Sequence, residues 1–435
     1  LPQWCCSSAS GAVVGGAEPI GPVIPLDEAR QLVVSACPVL GTEPRPLGAA
    51  IGSVLAEAVI APEAVPGFAS SAMDGYALRS ADVAGAPTVL EVIGSVMAGD
   101  GRPVRVRAGQ AVRVMTGAPV PDGADAVCMV EHTRTEDDGR RVVIEVPVPV
   151  GTAVREPGSD VAEGSEVAAA GTVLTPAHLG VLARLGLETV NVRRSPTVGV
   201  LSTGDELREG PEPLPVGAIR DANRPMLIAL IRAAGFCPID LGIVGDDAAS
   251  VRTALLEGAQ RCDALVTSGG VSVGDLDVVR MVLEALCGSS MRWMQIAIRP
   301  AKPFAFGLID GRVPVFGLPG NPVSSSVSFE LLARPALRRM AGHRDLLRPA
   351  LRARSSTALE RWPDGKTHFL RAWATVDSEG QIWVRSAGGQ ESHQLKALAD
   401  ANALVVLEDG TGVGSGEQVP VLLLDAERLG SEVHS

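Results

Sequence analysis

From about Pro196 onward the chain alternates short apolar runs with helical ones, and that alternation narrows the folds open to it. The expected strands are Thr197–Leu201, Pro238–Val244 and Ala264–Thr267. The expected helices are Asn223–Ala234, Ala248–Arg261 and about Leu276–Leu286. Strands separated by helices of this length predict a parallel, doubly wound sheet. Gly311 then marks a hairpin-like turn between Phe304–Leu308 and Val313–Phe316, and a last helix is expected over Val323–Met340.

Ligands of such sheets bind at the carboxyl ends of the strands. Three expected strand ends carry unusual residues. One is Ser202-Thr203-Gly204-Asp205-Glu206, the next is Asp246-Asp247, and the third runs from Thr267 through Ser268, Gly269, Gly270 and Ser272 to Asp277. Glycines let backbone N–H groups approach phosphate oxygens, and hydroxyls add donors. Carboxylates beside such a loop repel phosphate unless a cation bridges them, which points to Mg²⁺. Read singly, each of these loops is equally a turn with a helix cap. A fourth loop, Gly317-Leu318-Pro319-Gly320-Asn321-Pro322, runs straight into the last helix and suits an oxyanion at a helix N-terminus. Arg299 and Lys302 supply nearby positive charge.

Several chemistries are unsupported. There is no GxxxxGK[ST] loop and no GxGxxG after a strand, which counts against P-loop NTPases and common dinucleotide dehydrogenases. The six histidines are scattered, with no HExxH, so a Ser-His-Asp hydrolase is unsupported. The seven cysteines form no CxxC pair, so neither zinc nor iron–sulfur spacing is found, and they read as reduced thiols of a cytoplasmic protein. The formal charge of −12 and 3% aromatic content disfavour a nucleic-acid binder. No apolar run is long enough for a membrane helix.

The remaining chain divides by pattern. Residues 1–24, with Cys5 and Cys6, read as a disordered extension. Residues 25–61 with 164–193 read as a small helical or mixed linker domain. In it Asp27 is the expected cap of a first helix, Leu47–Leu55 a second apolar-faced run, and Thr175 with Pro176 the start of a helix to Leu185. Residues 62–163 read as a β-rich module with runs such as Thr88–Val92, Val104–Val106, Val112–Met115 and Ala126–Val130. Residues 194–345 form the α/β domain, and 346–430 a C-terminal β-barrel.

Seven strings, in order, resemble one family, the molybdopterin molybdenumtransferases of the gephyrin E-domain type. They are Pro66 through Ala77 (PGFASSAMDGYA), Met115-Thr116-Gly117-Ala118 with Gly123–Val127, Leu201–Leu207 (LSTGDEL), Arg220–Arg224 (RDANR), Thr267–Asp277, Lys302-Pro303, and Gly317–Val323 (GLPGNPV). Together they span roughly residues 25–430.

The resemblance implies insertion of molybdenum from molybdate into adenylylated molybdopterin, with release of AMP and help from Mg²⁺. It implies an elongated homodimer whose cleft joins the α/β domain of one subunit to the β-rich lid of the other. Recipient molybdoenzymes and the adenylyltransferase of the same pathway are the implied partners, with no nucleic acid or membrane. Carried over by motif, Asp74, Glu206, Asp246 and Asp277 are the catalytic carboxylates, with Asp277 and Glu206 on the metal and Asp160 beside Asp74. Thr116, Ser202, Thr203, Gly204 and Asp205 would contact the cofactor. So would Ser268, Gly269, Gly270, Ser272 and Lys302, and the loop Pro319, Gly320, Asn321 and Pro322. Arg299, Arg371 and Ser392 would face molybdate.

The chain departs from the family pattern at one strand. Lysines are frequent in the family at the positions of Gln295 and Arg299, and glycine at that of Ala301. Arg299 keeps the charge with different geometry, Gln295 loses it, and Lys302 stands close enough to compensate. Two other readings compete. The preceding adenylyltransferase shares the α/β sheet but lacks the SAMDGYA segment and the C-terminal β domain. A gephyrin-like scaffold would carry a further N-terminal domain and a long linker.

Overall fold

The computed structural model describes residues 22–270 and 278–430. Two compact units emerge, one built from the chain up to Thr42 together with everything from Arg193, the other from Glu43–Val192.

The first unit is centred on a seven-stranded sheet. Its strands are β1 (Val23–Ile24), β2 (Thr197–Thr203), β3 (Cys237–Val244), β4 (Ala264–Ser268), β5 (Arg292–Ile296), β6 (Pro303–Ile309) and β7 (Val313–Leu318), in spatial order β1-β5-β6-β7-β4-β2-β3. β2, β4 and β7 are fully or nearly fully buried, as their unbroken apolar runs require of a sheet covered on both faces. The sheet is mixed rather than purely parallel. β6 runs antiparallel to both β5 and β7, because a tight turn at Asp310-Gly311 joins it to β7. A three-residue link, Asp310 to Arg312, allows only an antiparallel return.

The helices are α1 (Leu26–Ala36), α2 (Asn223–Ala233), α3 (Ala248–Arg261), α4 (Val278–Cys287), α5 (Pro322–Ser328) and α6 (Arg334–Met340). α3 matches its expected limits; the expected start of α4 lies outside the described residues. The last helix is interrupted, since Phe329–Ala333 adopts a π-helical turn between α5 and α6.

The amino-terminal segment departs from expectation. Asp27 does not cap α1: the helix starts one residue before it, after Pro25, and Asp27 sits in the first turn bonded to Arg30 at 2.6 Å. α1 also belongs to the α/β unit rather than to a linker domain, since Ala29, Val33 and Cys37 pack in one core with Met294, Phe304, Leu337 and Met340. Val23–Ile24, expected in a disordered extension, is an edge strand paired in parallel with Gln295–Ile296. Cys5 and Cys6 lie outside the described residues.

The carboxyl-terminal part of this unit is a closed barrel. Thr367–Val376, Ile382–Ser386, Ala350–Ser355, Gln418–Leu423 and Ala403–Leu407 pair in succession, and the last pairs back to the first. Ala353, Ala374, Val384, Val405 and Val421 fill its interior.

The second unit holds a six-stranded sheet in the order Ala126–Met129, Gly75–Leu78, Gln110–Val114, Thr88–Val96, Arg141–Ile144, Thr133–Glu136. The run at Val104–Val106 makes only an isolated bridge, between Arg105 and Asp122. The apolar stretch from Leu47 yields one short 3₁₀ turn, Leu47–Ala49, instead of a helix. The helix Pro176–Arg184 forms as expected, with a capping box between Thr175 and His178. Among the described residues of either unit, no helix is long and apolar enough to cross a membrane.

Candidate active site

The carboxyl ends of β2, β4 and β7 meet in the first unit around a cleft of about 180 Å³. Ser202, Thr203 and Glu206 come from the first end, Ser268 and Gly269 from the second, and Gly320 and Pro322 from the loop after the third. A cleft of this size is smaller than the roughly 300–1,000 Å³ of a complete small-molecule pocket, so it takes one end of a ligand. Gly269 is required by the close approach of strands: its φ is 103°, and a Cβ there would stand 2.9 Å from the Thr203 carbonyl oxygen.

The carboxylates divide into groups. Glu206 is exposed at the cleft. Asp205 and Asp246 brace two adjacent loops reciprocally, since the Asp246 N–H donates to Asp205 Oδ1 at 3.1 Å and the Asp205 N–H to Asp246 Oδ2 at 3.3 Å. Asp247 caps α3 through the Ser250 N–H at 2.9 Å, and that bonding holds its pKa below the usual carboxylate range. Ser272 and Asp277 lie outside the described residues.

Sequence reasoning quoted the Arg220–Arg224 string but gave it no role, and it forms the floor of the site. Asp221 Oδ1 accepts from Ser202 Oγ at 3.1 Å, and Asn223 Nδ2 donates to Ser268 Oγ at 2.7 Å and to the Gly320 carbonyl at 2.6 Å. Arg224, buried, pairs with Asp221, Asp240 and Glu209. The available signal was position: the string opens the helix that follows the first site loop.

The basic residues lie at the junction with the barrel. Arg299 is exposed and stands 3.8 Å from Glu391. Lys302 is exposed as well. Arg371 is fully buried, and its Nη2 donates to the Gly389 and Glu391 carbonyls at 3.2 and 3.4 Å. Burial, opposed by Glu391 and assisted by Arg299, lowers its pKa to about 10. As placed, Arg371 orders the 388–392 loop from within. Ser392 anchors that loop to the start of α5, its carbonyl accepting from the Val323 N–H at 3.1 Å. Asn321 makes no side-chain cap there.

In the second unit Asp74 Oδ1 accepts from both the N–H and the hydroxyl of Thr116, each at 2.7 Å. Those two bonds lead the causes that hold its pKa below the usual carboxylate value. Gly75 follows because any Cβ would collide with the Cys128 carbonyl across the sheet. Asp160 pairs with Arg184 at 2.8 Å beside an open polar cleft of about 660 Å³, lined also by Phe68, Ser70, Gly117 and Arg155. Among the described residues no three His, Cys, Asp or Glu side chains form a metal-holding group.

A mixed α/β sheet with hydroxyl- and glycine-bearing loops at its strand ends, continued by a small barrel, is the architecture of a class of proteins whose sheet edge suits a small anionic ligand. Residues 24–186 match the family model "MoeA N-terminal region (domain I and II)", residues 199–339 "Probable molybdopterin binding domain", and residues 356–424 "MoeA C-terminal region (domain IV)". The chain belongs to the MoeA family of molybdopterin molybdenumtransferases. It is similar to the molybdopterin molybdenumtransferase of Haemophilus influenzae, with 38% identity covering 92% of this chain and 98% of that protein. It is also similar to molybdopterin molybdenumtransferase 2 of Mycobacterium tuberculosis, with 39% identity over 86% and 93%. The crystal structure of the molybdopterin biosynthesis moeA protein from Pyrococcus horikoshii OT3 shares its fold, with a TM-score of 0.78 and 30% identity over 92% of this chain and all of that one.

Proposed function

We propose that the chain inserts molybdenum from molybdate into adenylylated molybdopterin and releases AMP. The observation that carries this reading is the cleft at the ends of β2, β4 and β7. Its glycines and hydroxyls suit a phosphate, and Glu206 stands at its edge, in a chain whose relatives over nearly their full length are molybdopterin molybdenumtransferases.

The chemistry asks for three things. Each oxide that leaves molybdate departs as water and takes two protons. Cleavage of the phosphoanhydride consumes one water. Negative charge accumulates on sulfur, phosphate and oxyanion together. Exposed Glu206 and Asp246 relay protons, whereas Asp74, held ionised by Thr116, acts as an acceptor rather than an acid. Arg299 and Lys302 offset the oxyanion charge from the barrel side.

Mg²⁺ favours one or two carboxylates plus phosphate oxygens and water. Glu206 beside a phosphate-sized cleft fits that donor set, with Asp277 as its proposed companion. When bound, the ion would lower the charge of the anhydride. A homodimer and the pathway partners named above complete the proposal, and light scattering of the purified chain checks the former.

The test follows AMP release and pterin-bound molybdenum from adenylylated molybdopterin, molybdate and Mg²⁺. Molybdate-dependent AMP release that falls on the order of a hundredfold in Glu206→Gln is expected. No release by the wild-type chain would overturn the reading, and adenylation of free molybdopterin from ATP would replace it with the adenylyltransferase.

A further inference from the structure

Asn223 opens α2 and touches two of the loops that line the cleft. Its Nδ2 reaches Ser268 Oγ at 2.7 Å and the Gly320 carbonyl at 2.6 Å. Two residues earlier, Asp221 Oδ1 accepts from Ser202 Oγ at 3.1 Å and from the Asn223 N–H at 3.1 Å. One short turn therefore ties together the ends of β2, β4 and β7.

The chemistry of the acceptors sets the direction of these bonds. The Gly320 carbonyl has no proton to give, so the amide nitrogen must face it. Reversed, the amide would set two lone-pair-bearing oxygens against each other at hydrogen-bond distance. In the observed orientation Asn223 Oδ1 is buried without a partner, so nothing on its side competes for the rotation. Since Nδ2 also donates to Ser268, that Oγ is a receiver, and its own proton is left for another acceptor. Among the described residues Ser268 Oγ has no other hydrogen-bond partner. Ser202 is wired the opposite way. A carboxylate only accepts, so the Ser202 proton is given to Asp221, and the residue is fully buried. Of the two described serines expected at the cofactor, Ser268 has a proton to offer a ligand and Ser202 does not.

We propose that Asn223 is a positioning residue: by donating to Ser268 Oγ and the Gly320 carbonyl together, it turns the Ser268 hydroxyl into an outward donor for an anionic oxygen, the phosphate of the bound pterin. This rests on the function proposed above. It assigns the phosphate to the β4–β7 side of the cleft and leaves Ser202 a structural part.

The experiment measures dissociation constants for molybdopterin and for its dephosphorylated form, anaerobically. It uses the wild-type chain, Asn223→Ala, Ser268→Ala and the double variant, with a thermal melt of each. Each single variant should weaken the phosphorylated pterin about tenfold, the double variant no more than about twice as much as either single, and the dephosphorylated pterin should be unaffected. A merely structural role would weaken both pterins alike. Equal weakening of both, multiplied losses in the double variant, or unchanged affinity in Asn223→Ala would each overturn the proposal. If Asn223→Ala does not melt as a folded protein, unchanged phosphorylated-pterin affinity in Ser268→Ala overturns it alone. A wild-type chain that binds neither pterin removes the functional reading first, which is a different result from variants that match a binding wild type.

Discussion

Ala301 has a φ of 80° and is buried, a backbone setting in which a Cβ is strained and glycine is not. It stands where the resemblance leads one to expect glycine, so the departure has a conformational cost inside the strand pair β5–β6 that carries Lys302. Ala301→Gly should stabilise the chain by about 1 kcal/mol, read as an increased midpoint in urea at unchanged slope. Local strings such as SAMDGYA, MTGA and LSTGDEL single out Asp74, Thr116 and Glu206, and the fold bonds Asp74 to Thr116 and sets Glu206 at the cleft. The function of Asn223 was not legible, because it depends on a side-chain amide bridging partners 45 and 97 residues away. Arg371 was legible as a cation but not as a buried one, since burial is decided by the barrel that surrounds it.

The elements were legible where one signal dominated. Long apolar-faced segments such as α3 and uninterrupted apolar strands such as β4 followed from periodicity alone. Thr42–Pro46 was hidden: two prolines in five residues are unfavourable in a strand, yet the segment is one that pairs with Thr189–Arg193. Pattern also carries no strand direction, so the reversal of β6 had to come from its turn. The π turn between α5 and α6 shows no sequence mark; it is wholly buried, with Glu330 bonded to Arg348 at 2.6 Å. Just beyond α6, burial, followed by the charges of Arg338 and Arg334, pushes the pKa of His343 down to about 4. The unfolded chain binds that proton near pH 6.5, the folded one only near 4. Between those values the unfolded state holds more protons, so this group's share of stability is intact above 6.5 and declines as pH falls toward 4. His343→Gln should flatten that part of the stability profile, measured by urea unfolding at pH 7, 6, 5 and 4. A profile parallel to that of the wild type would contradict the assignment.

For the whole molecule, the decisive fact is that Glu43–Val192 interrupts a unit that is otherwise continuous. The chain leaves and re-enters that unit at adjacent points, because the Arg194 N–H donates to the Gly41 carbonyl at 2.9 Å. Insertions are tolerated at such sites, where the two ends already lie together. A chain joining residue 42 to residue 193 through a short Gly-Ser linker should therefore fold cooperatively. It should bind molybdopterin within a few-fold of the full chain, since residues 202–322 are all retained. It should release no AMP, having lost Asp74 and Thr116. A thermal melt, a titration and the AMP assay check the three statements separately. The same arrangement governs the order in which the parts are made. Val23 pairs with Gln295, so this early strand waits for a partner that arrives, at about 5–20 residues per second, only after on the order of tens of seconds. Residues 43–192 are all translated before then, and the sheet that carries the cleft gains its outer edge from a segment made long before its partner.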